Sequence, residues 1–204
     1  MQLPIRISNR LTILVSATAI VALSPPTLDA DDSDMDEPNI DACRLLLPAE
    51  ISTAIGFRVS DGQRADDGPQ PDGSYSSTCV WTIVDDVAPI DRTSPLGGRS
   101  FVILNAMQWP AGSGLASTFL DAFRRAAEAG EIPSMPSARE LGDEALWWGD
   151  GLAVRRRDTS FGLSVFISRS ATQPAPYAGA FEERLAPLIL KRLDQEPRHV
   201  DVQR

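Results

Sequence analysis

Apolar side chains recur at helical spacing in three separate stretches of the chain. The first stretch covers residues 41–56, where Pro48 predicts a break and a restart within the helical pattern. The second covers residues 113–129 and places its large apolar side chains on one face. The third covers residues 178–194, and Pro187 within it should kink the helix or mark a restart because proline lacks the N–H group.

Alternation of apolar and polar positions predicts strands between and after these helices. The expected strands cover residues 57–60, 79–84, 99–108, 143–148, 152–158 and 161–168. Asp150 and Gly151 suit the turn of a hairpin, which would place Glu144 opposite Arg157. Residues 61–78 are rich in Gly, Pro, Asp and Ser and are predicted to be an exposed loop.

The order of these elements predicts an α+β fold. It reads α-β-β(-β)-α-β-β-β-α, and we expect an antiparallel sheet of about five to six strands covered by helices on one face. The predicted domain covers residues 41–195, and residues 196–204 form a polar tail.

The amino-terminal segment has the order of features that is typical of a secretory signal peptide. Two arginines precede an apolar run over residues 11–23, two prolines follow it, and Ala30 stands before an acidic leader at residues 31–40. A membrane anchor is the alternative, but a spanning helix needs about 20 apolar residues and this run is shorter. The segment therefore predicts cleavage of residues 1–30, release without stable membrane insertion, and a periplasmic or extracellular location.

Charge and cysteine content restrict the chemistry further. The formal net charge of −9 argues against a nucleic-acid partner, which would require a basic surface. An even number of cysteines in an exported chain favours a Cys43–Cys79 disulfide, with two buried free thiols as the alternative. Two cysteines and one histidine cannot build a zinc site of the usual kind, and no cofactor is predicted.

Three stretches together resemble a known family. They are DACRLLLPAEISTAIG at residues 41–56, CVWT at residues 79–82, and LGDEALWWGDGLAVRRRDTSFGLSV at residues 141–165. This pattern is similar to the small secreted domains of unknown function best known from mycobacterial lipoproteins. The resemblance implies the Cys43–Cys79 bond and an α/β sandwich like that of photosystem-associated and Mog1-like proteins. It implies no catalytic residues, and this chain lacks the lipidation cysteine of the lipoproteins.

Few side chains offer catalytic chemistry. His199, the sole histidine, falls in the polar tail, where no fixed position near a nucleophile is expected. Asp143 and Glu144 are adjacent on a strand and therefore face opposite ways, so a surface ion pair with an arginine is the simpler interpretation than a glycosidase-like pair. The acidic loop at residues 62–77 lacks the spacing of a known calcium loop. We therefore predict no catalytic and no metal-binding residue.

The tandem tryptophans give the best local candidate for recognition. Trp147 is expected to face the core, which leaves Trp148 on the face that carries Arg155 and Arg157. These three side chains form either a cation–π packed surface or a binding patch for an anionic or planar partner.

The sequence therefore favours an exported soluble protein that acts as a non-enzymatic binding or interaction module. Its partner would be an envelope protein or a small molecule. The alternatives are a carboxylate-dependent hydrolase without cofactor and a structural envelope protein.

Overall fold

Seven antiparallel strands form one sheet, with helices packed on both of its faces. A computed structural model of the chain describes residues 40–85, 100–132, 135–167 and 179–195. The strands are β1 (Gln63–Pro69), β2 (Tyr75–Thr82), β3 (Phe101–Gln108), β4 (Ser137–Arg139), β5 (Glu144–Trp147), β6 (Leu152–Arg156) and β7 (Thr159–Phe166). The helices are α1 (Ala42–Leu45), α2 (Pro48–Ile55), α3 (Ala116–Glu128) and α4 (Ala180–Gln195). The predicted α+β class is confirmed, with more strands than expected.

The strands follow the order β1-β2-β3-β7-β6-β5-β4 across the sheet. All described residues belong to one unit of the chain, Glu37–Arg204. The predicted signal peptide, the leader up to residue 39, and the polar tail with His199 lie outside the described residues. Among the described helices, none is long and apolar enough to cross a membrane.

One face of the sheet packs against α1, α2 and α4 and forms the main core. The helices contribute buried aliphatic side chains, and the strands contribute large buried residues from alternate positions: Trp81, Val102, Leu104, Phe161 and Leu163 from the sheet, and Leu45, Ile51, Leu185 and Ile189 from the helices. Trp147 packs against this core, as the alternation predicted.

Helix α3 lies on the opposite face of the sheet, over β6 and β7. Its Leu120 forms a second buried cluster with Leu146 and Ala153, which alternate with the residues of the main core along β5 and β6. The expectation that helices cover only one face is therefore wrong. A helical pattern shows which side of the helix is apolar, but it does not show which face of a sheet that side will cover.

Two edge strands were not predicted. Residues 63–69 and 75–78, expected to be loop, form β1 and the start of β2, and residues 137–139 form β4. Nearly every β1 side chain is exposed. A strand at the edge of a sheet needs no apolar face, and charged residues with proline are common there. The composition of residues 63–69 therefore resembles that of a loop, although their backbone pairs with β2.

The β5–β6 hairpin turns one residue earlier than expected. The Trp148 N–H group donates to the Gly151 carbonyl at 3.1 Å, so the turn centres on residues 149–150. Glu144 consequently pairs with Arg155 and not with Arg157. Because each cross-strand partner shifts by two residues, each side chain keeps its predicted face.

The break predicted at Pro48 is confirmed, whereas of the two outcomes predicted for Pro187, a kink or a restart, the restart is absent. Asp41 caps α1 by accepting a hydrogen bond from the Cys43 N–H at 2.9 Å, and the helix restarts at Pro48 as expected. Helix α4, in contrast, runs from Ala180 to Gln195 with Pro187 inside it, so no restart occurs there.

The predicted disulfide is present. Cys43 and Cys79 join α1 to β2 with their Cα atoms 5.1 Å apart. The alternative of two buried free thiols is therefore wrong. Cys79 is fully buried beside Trp81, so the bond lies at the edge of the main core.

Candidate functional site

A depression of about 440 Å³ lies beside the β1–β2 hairpin, on the face of the sheet that carries α3. The described residues that line it come from β1, the hairpin loop, β2 and β3: Asp67, Gln70, Pro71, Asp72, Ser74, Ser76, Asn105 and Met107. We call it the hairpin depression. Its volume falls within the range of small-molecule sites.

The floor of the hairpin depression is formed by two paired strands. Ser76 of β2 lies directly opposite Met107 of β3, and Asn105 is the next residue of β3 on the same face. The intervening Ala106 points into the main core on the other side of the sheet. The floor is therefore fixed by the register that the core imposes, because a slip of one residue would bury Asn105.

One wall is formed by a β-bulge. Asp66 pairs with Ser77 and Gly68 pairs with Ser76, so Asp67 is an extra residue on β1. Such a bulge redirects the side chain of the inserted residue. Asp66 accepts a hydrogen bond from the Ser77 hydroxyl at 2.7 Å, toward α1, whereas Asp67 lines the hairpin depression. Asp66 and Asp67 thus point to opposite faces of the sheet.

The rim is the hairpin loop at residues 70–74. The Gln70 N–H donates to the Ser74 carbonyl at 2.7 Å, and the Gly73 N–H donates back to the Gln70 carbonyl at 3.0 Å. Gly73 has φ +80°, and a Cβ atom added there would lie 3.1 Å from Pro110. The positive φ and this close approach both favour glycine at this position, where the loop lies against the segment that follows β3.

The side-chain amides around the hairpin depression already donate their N–H groups to acceptors within the protein. The Asn105 amide nitrogen donates to Ser76 Oγ at 3.2 Å and to Thr78 Oγ1 at 2.8 Å. The Gln70 amide nitrogen donates to the Asp67 and Gly68 carbonyls at 3.4 and 3.2 Å. The side-chain carbonyl oxygens of Asn105 and Gln70 remain available to a ligand, and these atoms are acceptors.

Asp72 adds a fixed negative charge to the rim. Its Oδ1 accepts hydrogen bonds from the Ser74 hydroxyl at 2.7 Å and from the Ser74 N–H at 3.0 Å. These bonds to Ser74 lower the pKa of Asp72 below its usual value. The carboxylate is therefore ionised at neutral pH, and its second oxygen adds another acceptor.

The predicted patch of Trp148, Arg155 and Arg157 is not brought together. Trp148 stacks on Phe123 of α3 with ring centroids 4.5 Å apart and is half-buried. Arg155 pairs with Glu144, four residues along β5 from Trp148, or about 13 Å at the rise of a strand. Arg157 forms an ion pair with Asp194 of α4, on the other side of the sheet. A binding role for the three residues stays a prediction.

Arginines and acids of the β5–β6 hairpin form an ionic network with residues of α3 and α4. Arg155 lies 3.6 Å from Asp143 and 3.7 Å from Glu144, and Arg156 joins Asp143 to Asp194 at 2.9 and 3.0 Å. Arg124 of α3 contacts Glu144 from the face of the sheet that lies opposite α4. Asp143 and Glu144, which were expected to make one surface ion pair, thus connect α3, the β5–β6 hairpin and α4.

The described residues hold little other candidate chemistry. No group of three or more His, Cys, Asp or Glu side chains among them could hold a metal ion. Of the acids in the predicted loop, Asp66 is occupied by Arg64, Ser77 and Tyr75.

Sequence reasoning noticed the acids of residues 62–77 but did not identify the hairpin depression. Two signals were available: Asn105 interrupts an otherwise apolar strand, and Asp-Asp-Gly at residues 66–68 suits a bulge. Comparison of the chain with models of protein families, with curated proteins and with solved structures finds no match. The resemblance to the secreted domains therefore stays a prediction.

Proposed function

We propose that this chain is an exported soluble binding module, without catalytic activity, whose ligand site is the hairpin depression. The observation that carries the proposal is the lining itself: an open volume of about 440 Å³ with four polar or charged side chains that keep acceptor atoms for a ligand. These side chains are Asp67, Gln70, Asp72 and Asn105. In small-molecule sites, convergent polar groups of this kind fix the orientation of the ligand.

Export is supported by two independent features. The amino-terminal residues have the composition of a cleavable signal peptide. The Cys43–Cys79 disulfide is a bond that persists in oxidising compartments. Both features favour a periplasmic or extracellular location, and the partner is therefore to be sought there.

A carboxylate hydrolase is the second candidate, because two acids line the hairpin depression. Hydrolysis of a glycosidic bond needs one carboxyl group with a raised pKa as general acid. The pKa of Asp72 is lowered by its hydrogen bonds to Ser74, which favours a role in binding charge over one in donating a proton. This favours the binding module over the enzyme.

The test combines binding and turnover on the purified protein. Amide chemical shifts are followed during titration with a panel of sugars, short dicarboxylates, amines and blocked peptides, and the same panel with ester and glycoside substrates is assayed for hydrolysis. A binding module predicts saturable shifts at residues 67–76 and 105–107 with no product. Turnover that disappears in the Asp67→Asn/Asp72→Asn variant would refute the non-enzymatic proposal, as would saturable binding confined to another surface.

A further inference from the structure

We propose that the ligand of the hairpin depression is an organic cation, with an ammonium or guanidinium group at the end of a short apolar chain. This inference rests on the proposed function and names the chemistry that the site would recognise. A free alkylamine and the side chain of a lysine or arginine in a peptide share that chemistry.

Charge gives the first argument. Of the described residues that line the hairpin depression, two are aspartates and none is basic. Arg64, the basic residue of β1, points to the other face of the sheet, where it pairs with Asp41 at 2.9 Å and with Asp66. The chain as a whole carries a net charge of −9. The local and overall fields therefore both attract cations and repel anions.

Hydrogen bonding gives the second argument, and it is independent of charge. The amide nitrogens of Asn105 and Gln70 are already bonded within the protein, and so is the Ser74 hydroxyl. Of the side-chain atoms that remain, the carboxylate and amide oxygens only accept, and the Ser76 hydroxyl can still donate. A ligand must therefore bring several N–H or O–H donors, and an ammonium or guanidinium group brings three to five.

The apolar lining selects the rest of the ligand. Met107 on the floor and Pro71 on the rim offer non-polar contact beside the acceptors. A methionine side chain adapts its shape to the group that it contacts. A methylene chain of a few carbons fits this arrangement, with its charged end at Asp67 and Asp72. A compact metal cation would leave these apolar contacts unused.

The decisive experiment compares three ligands that share one five-carbon chain. The probes are 1,5-diaminopentane, 1,5-pentanediol and glutarate, titrated into the isotope-labelled full protein at low ionic strength. We expect 1,5-diaminopentane to bind most tightly, with shifts at residues 67–76 and 105–107, and to weaken as salt is added because screening shortens the range of the attraction. Equal or tighter binding of glutarate or the diol at the same residues would overturn the inference and leave the proposed function intact.

Matched variants separate local charge from total charge. Asp67→Asn removes one charge from the hairpin depression, and Asp150→Asn removes one from the exposed turn between β5 and β6. We expect Asp67→Asn to weaken binding about three- to tenfold, the range of a partly exposed ion pair, and Asp150→Asn to weaken it less than twofold. Equal effects of the two variants would overturn the inference.

Two further probes distinguish the sources of the cation. The peptide acetyl-Gly-Lys-Gly-amide is compared with the same peptide carrying norleucine, which keeps the chain length and removes the charge. Tighter binding of the lysine peptide than of the diamine would assign the site to a protein partner, and the reverse order would assign it to a free amine. Binding of the norleucine peptide as tight as that of the lysine peptide would overturn the inference.

Discussion

Replacing Trp148 with alanine tests how the far end of the sheet is held together. The indole stacks on Phe123 with ring planes 20° apart, and its edge lies against Gly162 and Gly151. Truncation of a fully buried tryptophan costs about 3–5 kcal/mol. Trp148 is half-buried, so we expect a loss of about 2–3 kcal/mol in the free energy of unfolding. For a domain of this size that corresponds to a fall of about 4–12 °C in Tm.

Urea unfolding followed by circular dichroism measures this loss. Trp148→Phe is the control because it keeps a ring to stack on Phe123, and it should retain more than half of the stability that Trp148→Ala loses. A double-mutant cycle with Phe123→Ala should give a coupling energy of about 0.5–1.5 kcal/mol, the usual value of an aromatic pair. A loss below about 0.5 kcal/mol in Trp148→Ala would refute the packing and restore Trp148 as a free recognition residue.

Three other perturbations have expected outcomes. Cys43→Ala/Cys79→Ala should lower the free energy of unfolding by about 4 kcal/mol in urea, because the bond closes a loop with a sequence separation of 36, and thiol titration of the denatured wild type should find no free thiol. Two titratable thiols would refute the bond. Gly62→Ala should cost about 1–3 kcal/mol, since an added Cβ atom would lie 2.5 Å from Cys79 Sγ; a neutral effect on Tm would contradict this packing. Burial raises the pKa of Glu182 above its ordinary value of 4.5, so the folded protein holds this proton to higher pH than the unfolded chain does, and stability falls as pH rises toward the raised pKa. Glu182→Gln keeps an acceptor for the Val165 N–H at 2.9 Å and should stabilise the protein at pH 8 more than at pH 4, whereas an equal change at both pH values would contradict the burial argument.

The main core was predictable because its elements carry strong periodic patterns. Residues 161–167 alternate so regularly that the inward set of Phe161, Leu163 and Val165 follows from the sequence alone. The break at Pro48 was predictable for a similar reason, since proline has a defined place at the start of a helix. Pro187 likewise lacks an N–H group, yet α4 continues through it because the helix packs against the sheet.

The hairpin depression could not be predicted because it depends on pairing between distant segments. Asp67 lines it only because β1 pairs with β2 through a bulge, and nothing in an exposed acidic stretch fixes where the extra residue falls. Asn105 joins it only because β2 pairs with β3 in a register that the core imposes. The surroundings of Trp148 were unpredictable for a related reason: the pattern predicted which face Trp148 takes, but not that Phe123 of α3 would stack on it.

The methyl groups of two methionines report directly on whether the hairpin depression binds a ligand. Met107 lies on the floor of the depression, whereas Met135 is 61% exposed and lies outside the lining. Methyl-labelled full protein is titrated with 1,5-diaminopentane, 1,5-pentanediol, glutarate and the lysine peptide. We expect at least one of these ligands to shift the Met107 methyl signal saturably while the Met135 signal stays in place. A Met107 signal that none of them moves, or one that moves only in step with Met135, would contradict this expectation.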